Sequence, residues 1–209
     1  MAITGQVMIL FVITHMIGNA TIYFGRLNAY AEQLHSLPLL LWIYRIVMLI
    51  LLSLHTIIGV QLYLENRRAK PQTYSVKKNL SATFAGKTII WTGLLIGVFL
   101  FYHLLHFTLQ VINTGSSAKA LADSAGQPDV FRMVIANFQN VYISLVYIVG
   151  MTVLLLHLMH GIQSSFQTLG LNNERTLPFV KKTGSLIAFV LFLCFISIPI
   201  IIFVGIMKR

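Results

Sequence analysis

The sequence predicts an all-α membrane protein, with five spanning helices gathered into one bundle over residues 1–209. Its mean hydropathy is +0.82 and only 10% of its residues are charged, whereas a soluble domain carries about 25%. Five separate apolar stretches are each long enough to cross a bilayer, which takes about 20 residues. Six of the seven histidines fall inside those stretches, where a polar ring has to find a partner.

The first stretch, 5–25, lacks a basic leading region and a small-residue cleavage site, and it holds His15 and Asn19 within its apolar run; it reads as a retained helix rather than a signal peptide. The second, 40–64, follows Pro38, a residue suited to a first helical turn. The third is 87–112 and the fourth 136–162. The fifth, 178–206, begins at Pro178 and carries Pro199 in its interior, where a kink is expected. The connections hold the polar punctuation: 26–37, 65–86, 113–132 and 163–177. A Thr-Gly pair precedes the first and third helices, Thr4-Gly5 and Thr92-Gly93; apart from it no internal repeat is evident, and the whole reads as one domain.

Charge gives an orientation. The loop after the second helix holds Arg67, Arg68, Lys70, Lys77, Lys78 and Lys87, and the loop after the fourth holds Arg175, Lys181 and Lys182. The opposite side holds Arg26, Arg45, Lys119, Arg132, Lys208 and Arg209. Nine basic residues against six place the N-terminus in the cytoplasm and the C-terminus outside. The net charge of +10 is that of loops facing anionic lipid and a partner subunit; no nucleic-acid-binding signature accompanies it. Cys194, the single cysteine, excludes a disulfide framework and any cysteine-ligated zinc or iron–sulfur site within the chain.

The histidines lie at two depths. Helices I and III run outward in this topology, and II and IV inward. His103 comes late in III and is outer; His157 comes late in IV and is inner; His55 lies past the middle of II and is inner; His15 lies near mid-depth or slightly outside it. The natural pairs are His15 with His103 and His55 with His157. Two opposed neutral imidazoles are the axial set of a six-coordinate haem iron, which moves electrons and leaves no position open for oxygen chemistry. Gly18, Gly59 and Gly161 follow His15, His55 and His157 on the same helix faces, as a flat cofactor approaching the backbone requires and as ordinary small-residue helix packing also produces. His103 has Phe107 at that place. HLLH (103–106) and HLMH (157–160) add His106 and His160, one turn nearer the helix ends, for which propionate hydrogen bonding, proton transfer and interfacial anchoring all remain open. No carboxylate lies near enough for a zinc or di-iron site. Arg45, Lys87, Trp91, Lys181 and Lys182 sit where propionates would need partners, and where snorkelling anchors are also common.

TGQVMILFVITHMIGN (4–19), LLSLHTIIGVQLYLENRRA (51–69), TGLLIGVFLFYHLLHFTLQV (92–111) and YIVGMTVLLLHLMHGIQSSFQTLG (147–170) together resemble the type B cytochrome b subunit of succinate dehydrogenase and quinol:fumarate reductase. In that family one five-helix chain carries two b haems. The resemblance covers essentially the whole chain, and the Thr-Gly pairs ten residues before His15 and His103 are part of it. It implies that His15 and His103 ligate a distal haem and His55 and His157 a proximal one. The proximal haem would face the iron–sulfur subunit on the cytoplasmic side, with a flavoprotein subunit beyond, in a bacterial cytoplasmic membrane. It implies a quinone, usually menaquinone, as the partner in electron transfer. The chain itself would neither hold the flavin nor reduce fumarate.

Quinol oxidation also needs a proton acceptor. The carboxylates are Glu32, Glu65, Asp123, Asp129 and Glu174. In the family the region of NAYAEQLHSLP (28–38) carries a carboxylate linked to quinol oxidation, which implies Glu32, with Tyr30 and His35 as neighbours and His106 near the quinone; a solvated loop carboxylate would look the same in sequence. Some members have a glutamate two residues before the fourth ligand that returns protons across the membrane; here Leu155 stands there, which puts such a path in doubt. Two other readings share some of these features. One is the b subunit of a formate dehydrogenase or hydrogenase; the other is a transporter with a histidine proton relay, against which the scarcity of membrane carboxylates speaks.

Overall fold

A computed structural model describes residues 1–69 and 84–207; Lys70, Lys77, Lys78, Lys208 and Arg209 of the charge argument lie outside them. The described residues form helices α1 (Ala2–Ala20), α2 (Leu27–His35), α3 (Pro38–Arg68), α4 (Phe84–Lys87), α5 (Ile89–His103), α6 (Val130–Phe138), α7 (Val141–Thr168) and α8 (Leu177–Phe203). Five segments are long and apolar enough to cross a membrane: Ala2–Phe24, Pro38–Arg68, Ile89–Thr108, Val141–Thr168 and Leu177–Phe203. They correspond to the five stretches read from hydropathy, with shifted ends.

Each shift has a local cause. α3 runs on through Glu65, Arg67 and Arg68 because nothing stops it: Gln61 Nε2 donates to Glu65 at 2.9 Å, one turn on. Helix III ends in a π turn, Leu104–Thr108, closed by Leu109 N–H to the Leu104 carbonyl at 2.7 Å. Helix IV starts at Val141, not near 136. Asn140 caps it, its side-chain oxygen accepting from Tyr142 N at 2.9 Å. The apolar residues just before it belong to the separate amphipathic helix α6. The connection after helix I likewise holds a helix, α2. Asp129 caps α6 by accepting from Arg132 N and also accepts from Asn28 Nδ2 of α2, each at 2.9 Å. Asn28 Oδ1 in turn accepts from Phe131 N at 2.8 Å. Asp129 is thus a buried strut between two helices, not a free loop carboxylate.

Successive spans reverse direction. The start of α1 meets α7 near its end, where Gln6 Nε2 donates to Ser165 Oγ; the 3-10 turn just past the far end of α1 meets the far end of α8, where Tyr23 and Ser197 share a 2.6 Å hydrogen bond. α7 is the central helix, touching α1, α5, α6 and α8. The core is centred on it through Tyr147, Leu158 and Ile162, with Ala188, Leu191, Ile198 and Ile202 of α8, Met16 of α1, and Ile135 and Phe138 of α6. Pro199 is inside α8 and buried. α3 has no buried residue and forms the edge of the bundle. Its exposed Trp42, Ile43, Ile46, Leu49, Ile50 and Ile57 suit contact with lipid.

Candidate functional site: paired histidines at two levels

His15 of α1 and His103 of α5 lie with ring centroids 5.9 Å apart and planes at 87°. His55 of α3 and His157 of α7 lie 6.4 Å apart at 67°. Four helices therefore supply two pairs, and each pair joins helices far apart in sequence. The levels follow from helix geometry. Gly5 lies against the His55 ring and is ten residues before His15 on the same helix, a rise of roughly 15 Å. The His55–His157 level sits at the end holding the start of α1, the end of α3, the start of α5 and the end of α7.

The two levels are built differently. At the His15–His103 level the surroundings are aromatic. Phe11 stacks on His15 at 5.4 Å and Phe99 on His103 at 6.2 Å, each four residues before its histidine, so this repeat is present in the sequence. Phe195 lies 6.1 Å from His15, and Tyr147 and Phe107 lie 5.9 and 6.0 Å from His103. Asn19 Nδ2 lies 3.2 Å from His15 Nε2 and donates to the His15 carbonyl, so a ligand bond from that nitrogen requires the amide to turn away from it. At the His55–His157 level the contacts are polar. Thr4 Oγ1 is 3.1 Å from His55 Nδ1 and Thr92 Oγ1 is 3.2 Å from His157 Nδ1. A Cβ on Gly5 or Gly93 would stand 3.3 Å from Cε1 of the His55 or His157 ring, so the absent side chain lets each ring rest against the helix backbone. The Thr-Gly pairs thus serve the histidines of the other level, not those that follow them on their own helices.

The three glycines after the histidines have different surroundings. The phenol ring of Tyr30 occupies the place a Gly18 Cβ would need, and the Met1 side chain faces Gly59 at 3.2 Å; only Gly161 borders open space. Gly18 makes room for α2 to dock on α1.

His106 is buried and fully partnered. Its Nδ1 pairs with Tyr147 Oη at 3.1 Å and its Nε2 donates to Asn137 Oδ1 at 2.8 Å. Asn137 also accepts from Asn113 Nδ2 at 2.6 Å and donates to the Met133 and Ser116 carbonyls. This network joins α5, α6 and α7, and neither Tyr147 nor Asn137 stands out in the sequence. His160 is half-buried. His35 is exposed and donates from Nδ1 to the Ala31 carbonyl at 2.7 Å. Glu32 is exposed on the same short helix, and its carboxylate has no partner among the described residues. Arg45 lies over the Trp42 ring at 5.3 Å and, ten residues before His55, at the His15–His103 level. Lys87, Trp91, Lys181 and Lys182 are exposed at the other end of the bundle.

The donor set fits axial ligation. Two imidazoles bound through one nitrogen each to opposite sides of one metal, at about 2.0–2.1 Å per bond, have centroids roughly 6.3 Å apart, close to both observed separations. Among the described residues no group of three or more His, Cys, Asp or Glu side chains gathers as a metal cluster. The profile of the succinate dehydrogenase/fumarate reductase transmembrane subunits matches residues 64–198. The chain belongs to that family. No curated protein and no solved structure matches it. Family membership makes this a multi-pass membrane subunit of a succinate dehydrogenase or fumarate reductase complex, associated with a flavoprotein and an iron–sulfur subunit, in a family that generally binds haem b in the membrane. It sets aside the formate dehydrogenase, hydrogenase and transporter readings.

Proposed function

We propose that this subunit is a single-domain, di-haem cytochrome b that exchanges electrons between menaquinone and the iron–sulfur subunit in a bacterial cytoplasmic membrane, with its N-terminus cytoplasmic and its C-terminus external. The supporting observation is the pair of histidine couples, drawn from four helices at two levels in a member of this family. His15 and His103 would hold the distal haem b, and His55 and His157 the proximal one. Bound there, the two haems would supply one-electron transfer across the bilayer.

The remaining work falls to the protein's side chains. Arg45 offers a cation at the distal level; Lys87, Trp91, Lys181 and Lys182 offer cations and an indole N–H at the proximal end, where propionates would need them. Glu32 takes the proton from the quinol hydroxyl. Tyr30, two residues away, seats α2 on Gly18, three residues beyond His15, which brings Glu32 to the distal end. Its exposure lets it pass the proton to water. Of the other carboxylates, Asp129 is a cap and strut, Asp123 accepts from Ala125 N and Gln127 N within its own turn, and Glu65 and Glu174 lie at the opposite end. His106 and His35 are the alternative acceptors near the quinone. Arg67 and Arg68, with Arg175, Lys181 and Lys182, form a basic cytoplasmic face that receives the iron–sulfur subunit and anionic lipid.

The test is the pyridine-haemochrome stoichiometry of the purified complex with its subunits identified. Two haem b per chain, low-spin and six-coordinate, with a flavoprotein and an iron–sulfur protein bound, is the expected result. A haem-free complex, or one haem per chain, would overturn the reading.

A further inference from the structure

The Thr-Gly pairs carry more than packing. The hydroxyl of Thr4 donates its one hydrogen to the Met1 carbonyl at 2.8 Å, and that of Thr92 donates to the Ile89 carbonyl at 3.0 Å. Each hydroxyl can therefore only accept from the imidazole beside it, so Nδ1 of His55 and of His157 carries the ring proton. That leaves Nε2 as the free lone pair on both rings. Gly5 and Gly93 make the arrangement possible by letting each ring lie against the first turn of α1 or α5. His103 has no such partner among the described residues, and His15 has only the Asn19 amide, which is a donor.

We infer that Thr4 and Thr92 are a symmetric pair of positioning residues that lock His55 and His157 in the Nδ1–H tautomer, present both Nε2 atoms to one iron, and tune that level alone. The inference rests on the haem reading above. An imidazole that gives its second N–H to an acceptor is the more basic ligand; it favours ferric iron and lowers the potential of the haem it holds. The His15–His103 level lacks this device.

The experiment is a redox titration of the purified complex, with low-spin ferric electron paramagnetic resonance, on T4V, T92V, T4S and T92S. Valine keeps the branched shape without the hydroxyl; serine keeps the hydroxyl without the methyl. Each valine variant should move the same one of the two haem components to a more positive potential, by up to a tenfold change in ferric-to-ferrous preference, which is 59 mV for one electron. The other component should stay, and the serine variants should match the unaltered complex. If a valine variant instead loses one haem while its serine counterpart keeps both, the inference also stands. It is overturned if neither component moves, if both move together, or if serine behaves like valine. A complex without haem before any substitution would sink the proposed function itself, which is a separate failure.

Discussion

Adding one methyl group at Gly150 should disturb the distal histidine pair without touching the proximal one. A Cβ at that position would stand 2.5, 2.6 and 2.8 Å from Cδ2, Cε2 and Cγ of Phe99. Carbon atoms in ordinary contact are about 3.5–4.0 Å apart, so in Gly150→Ala the ring has to retreat by roughly 1 Å. It has little room, because it is stacked on His103 at 6.2 Å and set edge-on against Tyr147 at 5.3 Å. Overpacking of this kind costs about 1–3 kcal/mol. At about 2–4 °C per kcal/mol for a chain of this size, the complex should melt roughly 2–12 °C lower. The strain passes to His103, so the distal haem should show a changed spectrum or partial loss while the proximal haem keeps its own. Thermal melting in detergent, followed through haem absorption, reads both effects. Phe99→Leu in the Gly150→Ala background should recover part of the loss, giving a coupling energy of about 1 kcal/mol in a double-mutant cycle. Gly115→Ala, with open space around it, is the silent control. Unchanged melting and spectra in Gly150→Ala would refute the contact and its link to His103.

His157→Ala should remove the proximal haem and His103→Ala the distal one, counted by haemochrome assay; full haem content in all four single histidine variants would contradict the ligand set. Glu32→Gln keeps size and polarity but cannot take the proton, so quinol-linked turnover should largely vanish while both haems and dye-linked fumarate reduction by the head subunits persist; a normal quinol rate would move the role to His35 or His106. Reversing Arg67, Arg68 and Lys70 to Glu should reduce the iron–sulfur subunit recovered with the chain, and labelling of that loop from outside intact cells would contradict the orientation. Asn137→Leu strands the buried His106 ring nitrogen that it accepts from, at a cost of roughly 1–3 kcal/mol, read as a lower melting point; melting within a degree of the unaltered complex would show that water satisfies that nitrogen.

The number of spans, the approximate extent of each and the order of the four paired histidines along the bundle were legible in the chain alone. A bilayer imposes one length on every span, and a helix rises 1.5 Å per residue, so position along the membrane normal is a one-dimensional count. That is why the sequence by itself pairs His15 with His103 and His55 with His157, and why the Thr-Gly repeat is visible in it. Its purpose is not. Which side of α1 faces α3, and which side of α5 faces α7, depends on how helices pack around one another, and hydropathy says little about that when lipid and neighbouring helix are equally apolar. Only the packed bundle shows Thr4-Gly5 against His55 and Thr92-Gly93 against His157, ten residues and one level away from the histidines they precede. The same reason hid Tyr30 behind Gly18, the wedge of Phe99 on Gly150, and the strut from Asn28 to Asp129. The break between α6 and α7 escaped for a different reason. Its residues are apolar enough to continue a span, and the side-chain cap of Asn140, together with the burial of α6 against α7 and α8, decides in favour of two helices.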